Sequence, residues 1–172
     1  VVAANAAGLS GSLFYLAGYG FATVGAFAIV TLVRDQAGEA AHLSRWAGLG
    51  KRSPLVAGAF ALFLIAFAGI PLTSGFTGKF AVFQAAIAGG ALPLVIIGVI
   101  ASAILAFPYV RVIVLMFFSD PAPDGPSVVV VRPSAFTATA VGIGALATLV
   151  LGIVPQPLLN LANHAASQLF VR

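Results

Sequence analysis

The sequence predicts an all-α membrane protein: a polytopic bundle of four transmembrane helices, one of them discontinuous, followed by an amphipathic helix. Three observations carry this prediction. The 172 residues are 61% hydrophobic and 7% charged, with a mean hydropathy of +1.13, too little polar material to coat a soluble domain of that size. Apolar runs of membrane-spanning length recur, at 12–33, 92–118 and 134–154. A further run, 54–91, is interrupted by proline and glycine over 70–76.

The first run has no charge until Arg34 and Asp35 close it. Its Tyr15, Tyr19 and Thr23 recur at i, i+4 and i+8 and share one helix face. That stripe either packs against a neighbouring helix, with Gly18 and Gly25 allowing close approach, or lines a water path; packing is the plainer reading. Residues 34–53 are the most charged segment, with Arg34, Asp35, Glu39, Arg45, Lys51 and Arg52, and read as an aqueous loop with a short amphipathic turn around 42–49.

The run 54–91 would extend about 55 Å as one helix, against a hydrocarbon core of about 30 Å. It is therefore two short spans or one broken span. With one broken span, Arg34, Arg45, Lys51, Arg52, Arg111 and Arg132 fall on one side of the membrane and Arg172 on the other. Two spans would scatter them. The tendency of basic loops to stay cytoplasmic favours one broken span, with 34–53 and 119–133 cytoplasmic and the C-terminus outside.

Pro71 removes a donor and crowds the preceding turn, while Gly69, Gly75 and Gly78 ease the backbone out of helical geometry. Backbone groups freed in hydrocarbon need protein or trapped water, so the break is expected to face a polar cavity, with Thr73, Ser74 and Thr77 as lining. Lys79 follows directly and is the sole charge between Pro54 and Phe107. It lies about 20 Å of helix from the boundary near Leu92, too far for its stem to reach the interface. Burying a fixed ammonium costs a few kcal/mol. Lys79 must be hydrated, paired or partly neutral, and an amine that tips between charged and neutral suits a proton relay; an arginine, always protonated, does not. The competing reading is a structural lysine satisfied by carbonyls of the broken helix.

Beyond the break, Pro108 is expected to bend the span 92–118, with Tyr109 and Arg111 as interfacial anchors. A proline-rich loop, 119–133, precedes the last span. In 158–172, Leu158, Leu161, Ala162, Ala165 and Leu169 gather opposite Asn160, Asn163, His164 and Ser167, as in a helix lying along the interface or against a partner. His42 and His164 read as solvated.

Several functions are excluded. There is no cysteine, hence no disulfide or thiolate metal site. The net charge of +4 is spread along loops and is no nucleic-acid footprint. Gly75-x-x-Gly78-Lys79 lacks the spacing of a nucleotide loop and follows no strand. With Val1 first and no basic leader, no signal peptide is read, and the chain is expected to be the C-terminal piece of a longer polypeptide.

The stretches AGIPLTSGFTGKF (68–80) and LFYLAGYGFATVGAF (13–27) resemble the antiporter-like membrane subunits of respiratory complex I, relatives of Mrp-type cation/proton antiporter subunits. The Gly-Lys-Phe ending is similar to the N-type branch; M-type chains look like Gly-Glu-Phe there. The likeness covers essentially the whole chain. It implies the end of a 14-helix inverted-repeat subunit, helices 11 to 14, with Lys79 on a central polar axis that moves protons. It further implies a translocase subunit in a bacterial inner membrane, with complex I membrane subunits on both sides and the lipid bilayer around it. Quinone reduction would drive it from elsewhere: NADH, FMN, iron–sulfur clusters and quinone would belong to other subunits, and this chain would hold no cofactor and do no redox chemistry. L-type relatives carry ionisable residues where this chain has Tyr15, Tyr19 and Thr23, so no relay role passes to those positions. The alternatives are a subunit of an Mrp-type sodium/proton antiporter, which a lysine in place of an acidic cation ligand disfavours, and a non-conducting scaffold.

Overall fold

The computed structural model describes residues 5–35, 38–121 and 128–170, with Phe170 as backbone only. Residues 1–4, 36–37, 122–127 of the proline-rich stretch and 171–172 lie outside the described residues.

Helix α1, Ala6–Val30, starts ahead of the expected residue 12 because Asn5 caps it, its side chain accepting from the Gly8 N–H at 2.7 Å. After Thr31 the chain turns into strand β1, Val33–Asp35, which pairs antiparallel with β2, Gly38–Glu39, and with β3, Val129–Val130, in the order β2-β1-β3. The all-α expectation contains no such ribbon. Strands this short cannot show an alternating pattern, and the pairing of β1 with β3 links segments far apart in sequence. The ribbon brings the basic loop 34–53 and the described ends of loop 119–133 to one end of the bundle.

The first of these loops is folded, not merely solvated. A 3-10 turn, Leu43–Trp46, buries the Trp46 ring 4.8 Å from Phe60, with its N–H donating to the Ala40 carbonyl at 3.0 Å. Leu49, opening the short helix α2, Leu49–Arg52, is buried beside it. Apolar residues at wide spacing thus pin a charged loop, and His42 stays exposed.

Helix α3, Pro54–Ala68, and helix α4, Ser74–Ala88, lie end to end along α1. The contacts run in step: Phe63 packs on Gly25, Ser74 on Gly18, Tyr15 on Gly78, and the Ala81 backbone on Gly11. Helix α5, Leu92–Phe118, returns alongside, passing Phe83 at Gly98, Phe67 at Tyr109 and Gly50 at Phe117. At about 1.5 Å per residue α5 is about 40 Å long, and the two short helices together run its length as one broken element. Its outer face carries exposed Ile97, Ile104 and Phe107, as a lipid-facing helix does.

Helix α6, Ala135–Ile153, is capped by Ser134 and crosses α1 where a Cβ on Gly144 would stand 2.8 Å from the Phe21 carbonyl and 3.2 Å from Gly25 Cα. Small residues here let two backbones touch. Helix α7, Gln156–Phe170, packs on α1 and buries Ala162 and Ala166, while Leu161 and Leu169 are exposed. The apolar side expected of this helix is thus divided: Ala162 is buried, while Leu161, Ala165 and Leu169 are exposed, and the second buried alanine is Ala166, which the expected side did not include.

Candidate functional site

The break occupies residues 69–73, earlier and shorter than the expected 70–76. Gly69 ends α3 in the left-handed conformation, φ 79°, and Leu72, a bulky residue, also has φ 71°. Such a φ is strained for leucine and persists only where surrounding packing enforces it. Here α6 does so: a Cβ on Gly152 would meet the Leu72 carbonyl and lie 2.5 Å from Thr73 Cα. Gly75 and Gly78, expected to belong to the break, sit inside α4 in helical geometry. Their lack of a side chain serves close approach instead. A Cβ on Gly75 would run into the Ala66 carbonyl, and one on Gly78 would stand 3.0 Å from the Tyr15 ring.

Every helix leaves its last four carbonyls without helical partners. In α3 all four are occupied. The Ile65 carbonyl accepts from Gly69 and Ile70 N–H at 3.1 and 3.2 Å, and that of Ala66 from Gly69 N–H at 3.0 Å. The other two, on Phe67 and Ala68, accept from Lys79 Nζ at 3.0 and 3.3 Å. The Lys79 ammonium therefore caps α3 from α4, at the negative end of the α3 dipole. Gly69 makes room: a Cβ there would lie 2.9 Å from Nζ and 3.0 Å from Cδ. An ammonium has three donors, so one remains beyond the two carbonyls.

Lys79 lines two cavities. One, of about 270 Å³, lies toward α1 and is lined by Tyr15, Val82, Phe83, Gly98 and Ser102. The other, of about 310 Å³, lies between the break and α5, beside Gly69, Phe76, Phe80 and Ser102. A larger groove of about 540 Å³ between α1 and α6 is apolar except for Thr139, whose hydroxyl is taken by the Ala135 carbonyl; it is remote from Lys79.

Thr73, Ser74 and Thr77, expected as cavity lining, are not among the residues lining either cavity at Lys79. Their hydroxyls go to carbonyls: Thr73 to Ile70 at 2.7 Å, Ser74 to Gly18 at 3.4 Å, Thr77 to Gly152 at 3.4 Å. Those of Ser74 and Thr77 tie the start of α4 to α1 and α6, and that of Thr73 stays within the break. The cavity hydroxyls come from Tyr15 and from Ser102, which sequence reasoning passed over although it is the only polar residue in 92–107. Tyr15 also stacks on Tyr19 at 5.5 Å, which meets Phe67 at 5.2 Å, so the Tyr15–Tyr19 part of the stripe both packs and reaches a polar cavity.

A family model described as "NADH:quinone oxidoreductase/Mrp antiporter, TM" matches residues 1–105. The chain is 69% identical over 166 residues, 96% of its length, to NADH-quinone oxidoreductase subunit N of Rhodococcus opacus. It is 63% identical over its full 172 residues to subunit N 3 of Streptomyces griseus, and 56% identical over 98% of its length to subunit N of Mycobacterium bovis. These matches cover 30%, 30% and 32% of the three relatives, so the chain spans under a third of their length; they do not bear out its expected place as a C-terminal piece. By the family match, this chain belongs to the NADH:quinone oxidoreductase/Mrp antiporter membrane family.

Proposed function

We propose that the chain is part of a proton-translocating membrane subunit of an NADH:quinone oxidoreductase, and that Lys79 carries the proton. The observation that supports this reading most is the setting of Lys79: its amine on two carbonyls of a broken helix, and its side chain lining two cavities. Capping alone would hold the break together without any cavity. A titratable group between two hollows can take a proton from one and release it to the other when a neighbouring charge changes the cost of holding it. Nothing in this chain performs redox chemistry; NADH oxidation and quinone reduction belong to other subunits, with further membrane subunits on both sides. The ribbon end, with loops 34–53 and 119–133 and the basic residues Arg34, Arg45, Lys51, Arg52 and Arg132, faces the cytoplasm of a bacterial inner membrane, and the C-terminus faces outward.

The test is NADH-driven proton pumping in inverted vesicles carrying the assembled complex. Lys79→Ala is expected to lower pumping while the complex still assembles; pumping near the wild-type level would take Lys79 out of the path. Sodium-dependent exchange in vesicles that oxidise no NADH would favour an antiporter component instead.

A further inference from the structure

We infer that Lys79 has a second berth, formed by the hydroxyls of Tyr15 and Ser102, which holds the amine in its neutral form. This deepens the reading of Lys79 as a proton carrier and depends on it.

The berth in which the structure holds Lys79 is made of acceptors only. The carbonyls of Phe67 and Ala68 receive hydrogen bonds and can give none. They suit an ammonium, which has three N–H bonds and no lone pair. A neutral amine has a lone pair, and in hydrocarbon that lone pair needs a donor. The smaller cavity supplies donors. Its lining is apolar except for Lys79 itself, Tyr15 and Ser102, and a hydroxyl both donates and accepts. Lys79, Phe83 and Ser102 line both cavities, so the same four-carbon stem borders both. Gly98 lines the smaller cavity, and a Cβ there would press on the Phe83 ring at 3.1 Å; at Gly78, next to Lys79 in the chain, the missing side chain lets Tyr15 pack close, 3.0 Å from where a Cβ would stand.

The cycle balances with water as the only other reactant. The ammonium gives one proton to a water in the Tyr15 cavity, forming hydronium and a neutral amine. The amine's lone pair then accepts from the Tyr15 or Ser102 hydroxyl. A later hydronium returns a proton to that lone pair, and the re-formed ammonium goes back to the carbonyls. Tyr15 and Ser102 are positioning residues here: they keep their own protons and act through Lys79.

The experiment compares NADH-driven pumping per NADH oxidised in the assembled complex for Lys79→Ala, the double variant Tyr15→Phe with Ser102→Ala, each single change, and Ser102→Thr. Tyr15→Phe keeps the ring stacked on Tyr19 and on Gly78, removing one oxygen, so a packing role alone would leave pumping intact. The double variant is expected to lower pumping about threefold to tenfold, the factor that one or two neutral hydrogen bonds represent. Ser102→Thr, which keeps the hydroxyl, is expected to restore what Ser102→Ala loses. Should the double variant not assemble, the single changes carry the comparison. Wild-type pumping in the hydroxyl-less variants alongside a defective Lys79→Ala would overturn the second berth and leave the carrier role standing. So would a Ser102→Thr as defective as Ser102→Ala. Normal pumping in Lys79→Ala would overturn both.

Discussion

Gly69 and Gly90 share the same backbone angle, φ 79°, and differ in what surrounds them. At Gly90 an added Cβ meets nothing within 4 Å; at Gly69 it would lie 2.9 Å from Lys79 Nζ and 3.0 Å from Cδ. Alanine at either position incurs the left-handed backbone penalty, about 1–2 kcal/mol. At Gly69 it must also push the lysine end aside. That shift is sterically easy for a flexible chain, but it draws the ammonium off carbonyls held at 3.0 and 3.3 Å. A hydrogen bond to a charged group contributes about 1.5–3 kcal/mol, so Gly69→Ala should destabilise by about that much more than Gly90→Ala. The two variants are to be compared by thermal inactivation of the assembled complex and by NADH-driven pumping. Gly69→Ala is expected to inactivate at lower temperature and to pump poorly, with Gly90→Ala mildly destabilised and pumping normally. Equal behaviour of the pair would refute the claim that Gly69 exists to let Lys79 lie across the break.

Three further outcomes follow from the same contacts. Gly75→Ala places a methyl group against the Ala66 carbonyl, so α3 and α4 must part; overpacking of about 1–3 kcal/mol should lower the yield of assembled complex. Thr77→Val removes only long hydroxyl contacts, 3.4 Å to Gly152 and 3.5 Å to Thr73, and should leave pumping unchanged. Lys51 donates to Asp120 at 2.7 Å at the exposed ribbon end and holds that carboxyl below its ordinary value. A carboxyl lowered in the folded state stabilises above its unfolded pKa and ceases to do so as pH falls through the folded one. Because the pair is exposed and screened, Asp120→Asn should match wild type in thermal inactivation at neutral pH, with any difference in the effect of pH confined to acid.

Much of this site was legible in the sequence because its causes are local. Pro71 and Gly69 forbid a continuous helix whatever surrounds them, and a lone Lys79 in an apolar run demands partners. The helix over 92–118 and the short one opening at Pro54 follow from apolar length and a proline at the first turn. What escaped reading depends on contacts between distant segments. Gly75 and Gly78 look like breakers in one dimension; only the approach of Ala66 and Tyr15 reveals them as packing positions. The sequence places the hydroxyls of Thr73, Ser74 and Thr77 beside the break, but the carbonyls on α1 and α6 that two of them meet are visible only in the fold. Ser102 drew no notice because a single serine in α5 acquires meaning only when α4 lies beside it. The ribbon and the buried Trp46 were hidden in a charged loop whose apolar residues are too widely spaced to form a pattern.

The central claim is that Lys79 acts by releasing a proton, beyond capping α3, and Lys79→Arg separates the two roles. A guanidinium can donate to the Phe67 and Ala68 carbonyls but does not deprotonate. The measurement is protons pumped per NADH oxidised by the assembled Lys79→Arg complex: the account predicts a complex that assembles and pumps at the reduced level of Lys79→Ala, whereas a wild-type ratio would show that the charge alone suffices and contradict it.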